Sequence, residues 1–185
     1  MGYGIEQSPH LGGYLVGGDD TTYATEVWDW MVKSGIKSVI DVGCGEGHSV
    51  KYFYDKGCDV VGIEGGYNAI ANSPIANRIV CHDYTKGPYV AKKIYDAVWS
   101  CEFVEHVAEQ YVDNFLETFN CANSIFMTHA VPGQDGYHHV NCQPQEYWID
   151  KLNNLGFTFD NNMSQFLRGL TQKYHVHKRL LYFKR

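Results

Sequence analysis

The sequence lacks several features that would assign it to a familiar class of protein. Its six cysteines form no CxxC pair, so the pattern indicates neither a zinc ribbon nor a redox dithiol. Basic residues are not in excess, with 15 Lys and Arg against 21 Asp and Glu, which disfavours duplex nucleic acid as a partner. No apolar run approaches the ~20 residues of a membrane span, and no signal peptide is recognisable. These absences predict a cytoplasmic protein with reduced cysteines that contacts no membrane, and they leave its oligomeric state open.

What the chain does contain is a regular alternation of short β-branched runs and amphipathic stretches. Its 185 residues and 44% hydrophobic share suit a single domain, residues 1–185, with one substantial core. Strands separated by helices predict a Rossmann-like sheet of seven mostly parallel strands, with helices on both faces and an antiparallel last strand. The predicted strands span residues 38–42, 59–63, 78–81, 95–100, 124–129, 157–160 and 179–184. The predicted helices span residues 25–34, 49–56, 68–73, 90–93, 103–119 and 144–155.

The first 24 residues differ from the rest because glycine and aromatic residues dominate their early part. This composition predicts an ordered loop rather than a helix. His10 and Tyr14 would fold over a bound ligand if the segment acts as a lid, although Tyr14 could equally be an ordinary packing residue.

The strongest motif is the run from Asp41 to Gly47, which follows a predicted strand and opens a helix. Its glycines alternate as GxGxG and allow a tight turn that a ligand can approach closely. A dinucleotide-binding turn would instead have the spacing GxGxxG, with a pyrophosphate on the helix N-terminus. A carboxylate at Asp41 would repel phosphates but suits a cationic ligand that carries an amino acid. The motif therefore favours S-adenosylmethionine (SAM) over NAD.

Acidic residues follow the next two predicted strands. Glu64 lies about one βα unit after the glycine loop, where a carboxylate can accept hydrogen bonds from both ribose hydroxyls. Asp83 could accept from an adenine amino group, and Tyr84 could pack on the ring. Each is also explained as an ordinary polar loop residue, but three sites at successive strand ends form a pattern. The predicted cofactor-binding set is Asp41, Gly43, Cys44, Gly45, Gly47, Glu64, Gly65, Asp83, Tyr84 and Ser100.

On these residues the chain resembles the class I SAM-dependent methyltransferases, of the small-molecule type, from about Val39 onward. The resemblance implies that the glycine loop cradles the methionine part of SAM and that Glu64 holds the ribose. It also implies seven strands with the last one antiparallel. The fourth strand end lacks the Asn/Asp-Pro-Pro-aromatic pattern of enzymes that methylate DNA base amino groups.

The segment after the fourth strand carries the pattern Glu-x-x-Glu-His at Glu102, Glu105 and His106. On a helix these residues would share one face and could hold a hard divalent cation such as Mg²⁺. The pattern resembles two metal-assisted O-methyltransferase groups, the ubiquinone-pathway enzymes and those that methylate small-RNA 3′ ends. In the RNA group a further histidine follows strand five, a position for which this chain offers His138 or His139. Without a metal, Glu105 and His106 are a simple helix start, and His106 or His129 is the candidate general base.

The sequence thus predicts a SAM-dependent methyltransferase that O-methylates a small molecule or a sugar hydroxyl. Two alternatives stay open: a metal-dependent RNA-terminus 2′-O-methyltransferase and a non-catalytic SAM-binding regulatory protein. The acceptor itself cannot be named from the sequence.

Overall fold

The computed structural model describes residues 3–5 and 8–185, and its centre is a seven-stranded sheet. A separate hairpin of β1 (Tyr3–Ile5) and β2 (Gly13–Leu15) precedes it. The sheet strands are β3 (Ser38–Val42), β4 (Asp59–Glu64), β5 (Ile79–Cys81), β6 (Tyr95–Ser100), β7 (Ala122–Met127), β8 (Thr158–Phe159) and β9 (Leu181–Lys184). Their order across the sheet is β5-β4-β3-β6-β7-β9-β8, and β9 runs in the direction opposite to the other six. The predicted Rossmann-like architecture is confirmed.

Two hydrophobic layers hold the helices against the sheet. The helices are α1 (Thr25–Lys33), α2 (His48–Asp55), α3 (Tyr67–Ala71), α4 (Val112–Phe119), α5 (Gln145–Asn154), α6 (Asn161–Gly169) and α7 (Tyr174–Arg179). One layer joins α4 and α5 to one face through side chains such as Phe115 and Trp148. The other joins α1, α2, α6 and α7 to the opposite face through Trp28, Phe53 and Leu167. Both faces are therefore covered, as parallel strands require.

The topology fixes where a ligand binds. The chain runs outward from β3 to β4 and β5 and then crosses back to place β6 on the other side of β3. In open α/β sheets the crevice at such a reversal, outside the carboxyl ends of the strands, receives the ligand.

Two predicted helices are wrong. Residues 90–93 form no helix, and Val90 is largely exposed, so this short stretch has no apolar face to pack. Residues 103–119 do not form one helix but two 3₁₀ turns, Val104–His106 and Glu109–Tyr111, followed by α4. The carbonyl of Glu105 accepts hydrogen bonds from the N–H groups of Val140 and Asn141, which replaces the intrahelical bond of a regular helix.

The N-terminal segment contains the β1–β2 hairpin and two 3₁₀ turns, Pro9–Leu11 and Asp20–Thr22. The prediction of an ordered, non-helical segment thus holds where residues are described, whereas residues 1, 2, 6 and 7 of the segment lie outside the described residues. All six cysteines are free thiols. No helix within residues 3–5 and 8–185 is long and apolar enough to span a bilayer.

Candidate active site

A cavity of about 510 Å³ opens at the carboxyl ends of the central strands. Its walls carry predicted residues from three strand ends, Asp41, Glu64 and Asp83, together with the loop after β6. The N-terminal segment forms another wall through His10 and Tyr14. Its size is that of a small-molecule site.

The glycine loop bends sharply between β3 and α2. Gly43, Gly45 and Gly47 all have positive φ, at 77°, 54° and 76°, a region that side chains other than glycine rarely adopt. At Gly43 a Cβ atom would also overlap the ring of Phe103. The loop therefore needs glycine both for its turn and for its packing.

Asp41 lies at the floor of this loop and is almost completely buried. The hydroxyl of Ser49, in the first turn of α2, donates to Asp41 Oδ2. Burial raises the pKa of Asp41 to about 7, against a smaller lowering by the Ser49 hydrogen bond. A cationic group of a ligand placed beside Asp41 would therefore stabilise its ionised form.

Glu64 ties the end of β4 to the glycine loop. Its Oε2 accepts from the N–H of Gly45 at 2.8 Å, and its Oε1 accepts from the N–H of Gly66 at 2.7 Å. These two bonds orient the Glu64 carboxylate beside the cavity. Cys44 and Gly65, two other predicted cofactor residues, also line the cavity.

Asp83 sits between the sheet and the N-terminal segment. Its Oδ1 accepts from the N–H of Thr85 at 2.8 Å, and its Oδ2 lies 2.9 Å from His10 Nε2. Burial raises the pKa of Asp83, but hydrogen bonds from His10 and Thr85 outweigh this effect and lower it. Tyr84 is mostly core: its hydroxyl pairs with Thr118 at 2.9 Å and only 5% of the residue is exposed.

Four predicted site residues do not line the cavity, namely Gly47, Ser100, Glu105 and His129. The Ser100 hydroxyl donates to the carbonyl of Val42 at 2.9 Å, so it joins β6 to β3 instead of facing a ligand. His129 is buried beyond the end of β7. Thr128 points toward Glu102, and alternation along an extended chain sends the next side chain to the opposite face. The predicted catalytic role of His129 therefore has no support in the geometry.

Glu102, Glu105, His106 and His139, hereafter the carboxylate cluster, meet beside the cavity although the helix that was expected to align them is absent. Glu102, Glu105 and His139 each offer a ligand atom, and these atoms lie within 4.8 Å of one another. The rings of His106 and His139 are 5.1 Å apart. Three of the four predicted metal ligands thus come together, and His106 adjoins them through the His139 ring. The loop after β7 completes the group.

Glu105 is the unusual member of the cluster. It is 0% exposed, and neither carboxylate oxygen has a hydrogen-bond partner among the described residues. Burial raises the pKa of Glu105 well above its usual value, and the negative charge of Glu102 raises it further. A carboxylate in this setting needs either a proton or a cation.

Hydrogen bonds set the orientation of the two histidines. His106 Nδ1 lies 3.2 Å from the carbonyl of His138, and His139 Nδ1 lies 3.1 Å from the carbonyl of Gln134. Because a carbonyl only accepts, each Nδ1 carries the hydrogen and each Nε2 keeps its lone pair. Burial lowers the pKa of His106 to about 4, and the neighbouring His139 lowers it further, so His106 is neutral.

Residues 40–121 match the family described as "Methyltransferase domain", whereas a search of curated proteins found no match. The matched segment, 82 of the 185 residues, contains the glycine loop, Glu64 and the Glu-x-x-Glu-His pattern. The match supports an enzyme that transfers a methyl group from SAM.

Solved methyltransferase structures share the fold. Magnesium protoporphyrin IX methyltransferase from Synechocystis PCC 6803, with bound S-adenosylhomocysteine (SAH), has a TM-score of 0.65 at 15% identity, covering 89% of this chain and 83% of that one. A methyltransferase domain of bacterial CtHen1 has a TM-score of 0.58 at 17% identity, covering 86% and 95%. The plantazolicin methyltransferase BpumL in complex with SAH has a TM-score of 0.60 at 15% identity, covering 88% and 82%. At these identities the likeness shows the fold alone.

The sequence analysis did not single out two residues of this methyltransferase that line the cavity. Glu46, inside the glycine loop, is 6% exposed and accepts from the N–H of Gly17 at 3.0 Å. His175 on α7 lies with Nδ1 2.9 Å from Glu102 Oε2. Glu46 could have been found, because it stands within the motif. No sequence motif surrounds His175, and its place in the site results from the packing of α7.

Proposed function

We propose that this methyltransferase transfers the methyl group of SAM to a hydroxyl oxygen of a small molecule or sugar, beside a divalent cation held by the carboxylate cluster. The observation that carries the proposal is the buried Glu105 carboxylate, which has no hydrogen-bond partner among the described residues and lies next to Glu102 and His139. SAM-dependent methyl transfer is the activity of the family; the hydroxyl acceptor and the cation are the proposal.

The cofactor is proposed to lie along the carboxyl ends of β3, β4 and β5. The glycine loop, with Asp41 beneath it, receives the methionine end, because its backbone is open and the nearby charge is negative. Glu64, held by Gly45 and Gly66, lies where a carboxylate accepts from the ribose hydroxyls. Asp83 lies one strand further out, on the side proposed for the adenine.

The donor set of the cluster fits a hard divalent cation. Two carboxylates and imidazole nitrogens with free lone pairs are suitable ligands for Mg²⁺ or Mn²⁺. Both Nδ1–H groups donate to backbone carbonyls, an arrangement that fixes metal-binding histidines in other proteins. When bound, the cation would lower the pKa of a substrate hydroxyl.

The other role of the protein is to align the reacting groups. The sulfonium methyl is already activated, so the walls of the cavity need to hold the donor sulfur, the methyl group and the acceptor oxygen in line. A metal-free route would require His106 to remove the hydroxyl proton itself. Its pKa of about 4 makes it a weak base, which favours the cluster acting as a cation site.

The N-terminal segment is proposed to close the cavity over bound SAM. It is attached by the contact of His10 with Asp83, by the N–H of Gly17 donating to Glu46, and by Asn72 donating to the Tyr14 hydroxyl at 2.7 Å. His138 Nε2 also contacts the carbonyl of His10 at 3.2 Å, and the Tyr23 ring packs against Trp28, so exchange of SAM requires these contacts to open.

The test is methyl transfer from labelled SAM to a panel of small hydroxyl compounds and sugars, with an RNA oligonucleotide as a separate acceptor. We expect activity on a small hydroxyl acceptor, loss of activity in EDTA, and recovery when Mg²⁺ or Mn²⁺ is restored. Full activity in EDTA contradicts the cation, and methylation of the RNA 3′ end alone favours the RNA-terminus alternative.

A further inference from the structure

We infer that His175 is a positioning residue that holds the Glu102 carboxylate in place within the carboxylate cluster. The inference rests on the proposed function, because it concerns the cation that the cluster would bind. His175 comes from α7, more than fifty residues beyond the part of the chain that matches the methyltransferase family.

The contact is close and shielded from water. His175 Nδ1 lies 2.9 Å from Glu102 Oε2, an ion-pair contact that lacks the alignment of a hydrogen bond, and the two side chains are 21% and 17% exposed. Both residues line the cavity. A short ion pair in this setting is screened by solvent much less than a surface pair.

The helix that presents His175 is anchored firmly. Val176, the next residue, and Leu180, just after α7, are both 0% exposed and belong to the hydrophobic layer that includes Trp28. The ring nitrogen Nδ1 of His177 lies 2.9 Å from the carbonyl of Arg168, which ties α7 to α6. The position of His175 is therefore set by the core and not by Glu102.

Glu102 needs such an anchor because its own backbone is unfavourable. Its φ is 52°, a left-handed value that a residue other than glycine rarely adopts. Its N–H donates to Thr128 Oγ1 at 2.9 Å, and the Thr128 hydroxyl lies 3.3 Å from its Oε1. Thr128 thus holds one side of Glu102, and His175 holds the other.

The neighbouring charge explains why two anchors are required. The ligand atoms of Glu102 and Glu105 lie within 4.8 Å of each other, so the two carboxylates repel when both are ionised. Without an anchor, Glu102 is free to rotate toward water and leave Glu105 alone. His175 keeps the pair together before the cation arrives, which lowers the cost of assembling the site.

The experiment measures Mn²⁺ binding to the full chain by electron paramagnetic resonance, with SAH present, for the wild type, His175→Ala, His175→Gln and Lys178→Ala. Lys178 is the matched control because it is exposed on the same helix. We expect His175→Ala to weaken Mn²⁺ binding ~10- to 100-fold, the range for lost partners of metal ligands. His175→Gln, which keeps a hydrogen-bond donor, should recover part of that loss, and Lys178→Ala should bind as the wild type does.

Affinity for SAH and the thermal unfolding midpoint are measured on the same samples, and we expect neither to change in His175→Ala. Equal Mn²⁺ affinity of the wild type and His175→Ala overturns this inference while leaving the cation site intact. Absence of Mn²⁺ binding to the wild type overturns the cation site and the inference with it. A parallel loss of Mn²⁺ and SAH binding shows a general structural role for His175 and also overturns the inference.

Discussion

The two halves of the active-site cavity are built in opposite ways. In the cofactor half, formed by the carboxyl ends of β3 and β4, both oxygens of Glu64 accept backbone hydrogen bonds from Gly45 and Gly66. In the cluster half, Glu105 has two buried oxygens without partners among the described residues, and Glu102 has a left-handed backbone. Glu64 is therefore held by hydrogen bonds before any ligand binds, whereas Glu105 needs a proton or a cation.

The halves also differ in how the chain assembles them. The cofactor half uses contacts between neighbouring βα units, within residues 41–66. The cluster half joins the loop after β6 to Thr128 on one side, His139 on another and His175 on a third. A site with satisfied local hydrogen bonds tolerates loss of its ligand, and a site assembled from distant segments with buried charge is strained until its ligand binds.

The change with the largest expected effect is Glu105→Gln, which tests whether the cluster half trades stability for function. We expect the catalytic efficiency to fall about 1,000-fold, or about 4 kcal/mol at the transition state, because a ligand carboxylate is lost. In EDTA at pH 7 the same variant should unfold at a higher temperature than the wild type, because the amide is neutral and does not have to take up a proton on burial as Glu105 does. Steady-state kinetics and thermal unfolding measure the two effects.

Glu109→Gln is the control, since Glu109 is an exposed carboxylate in the same loop. It should change neither activity nor the unfolding temperature appreciably. If Glu105→Gln keeps wild-type activity, the cluster does not hold a catalytic cation. If it is less stable than the wild type in EDTA, the carboxylate has a structural partner.

The second prediction concerns the buried charge of the cofactor half. The pKa of Asp41 is about 7 in the folded protein against 3.8 when unperturbed, so the folded state keeps its proton to higher pH than the unfolded state does. This contribution to stability is complete below about pH 4 and is lost as the pH rises to about 7, an effect of about 4 kcal/mol at most. Asp41→Asn should remove this decrease in stability between about pH 4 and pH 7, because the amide does not titrate.

The measurement is the difference in unfolding free energy between Asp41→Asn and the wild type from pH 4 to pH 8, without cofactor. A difference is needed because His106 and His129, whose pKa values burial lowers to about 4, act in the opposite direction. Both histidines are present in the wild type and in the variant, so their contributions cancel in the difference. We expect the advantage of the variant to grow up to about pH 7 and then to level off; a difference that does not vary with pH contradicts the raised pKa.

The smallest of the three effects compares two glycines with similar backbones. Gly43 and Gly57 have φ values of 77° and 82°, but a Cβ at Gly43 would overlap the Phe103 ring, whereas a Cβ at Gly57 would have nothing within 4 Å. Gly57→Ala should cost about 1 kcal/mol of stability from backbone strain alone. Gly43→Ala should cost about 2–3 kcal/mol, because the Phe103 ring packs against Phe115 and cannot retreat easily.

Chemical denaturation gives both free energies, and titration with SAH shows whether the Gly43 variant also loses cofactor affinity, as we expect. Equal losses of stability in the two variants would mean that Phe103 moves aside and that the glycine loop is less tightly packed than it looks.

Most residues that the sequence predicts for the cofactor half line one cavity, because the signals that mark them are local. A GxGxG turn after a β-branched run, followed by an acid one βα unit later, requires only neighbouring segments to fold as their pattern indicates. Ser100 was the exception: whether a strand-end hydroxyl faces the ligand or the adjacent strand depends on the pairing of β6 with β3, which the sequence does not display. The missed contact of Glu46 with Gly17 depends likewise on how the N-terminal segment folds back.

The residues predicted for the cluster half lie near one another without a helix that joins them. A helix already begun at Glu102 would have put Glu102, Glu105 and His106 on one face, but two 3₁₀ turns precede the helix that residues 103–119 contain. The loop after β7 supplies backbone donors to the Glu105 carbonyl, and this tertiary bond overrides the helical pattern.

By itself, the sequence determined the alternation of strands and helices, the glycine turn and the identity of the acids and histidines available for chemistry, because each follows from residues near one another along the chain. Only the tertiary structure decided that His139 and His175 reach the same carboxylates and that His129 does not. Those positions depend on strand register and on the packing of α7 against the core, which couple residues far apart in sequence and leave no local signal.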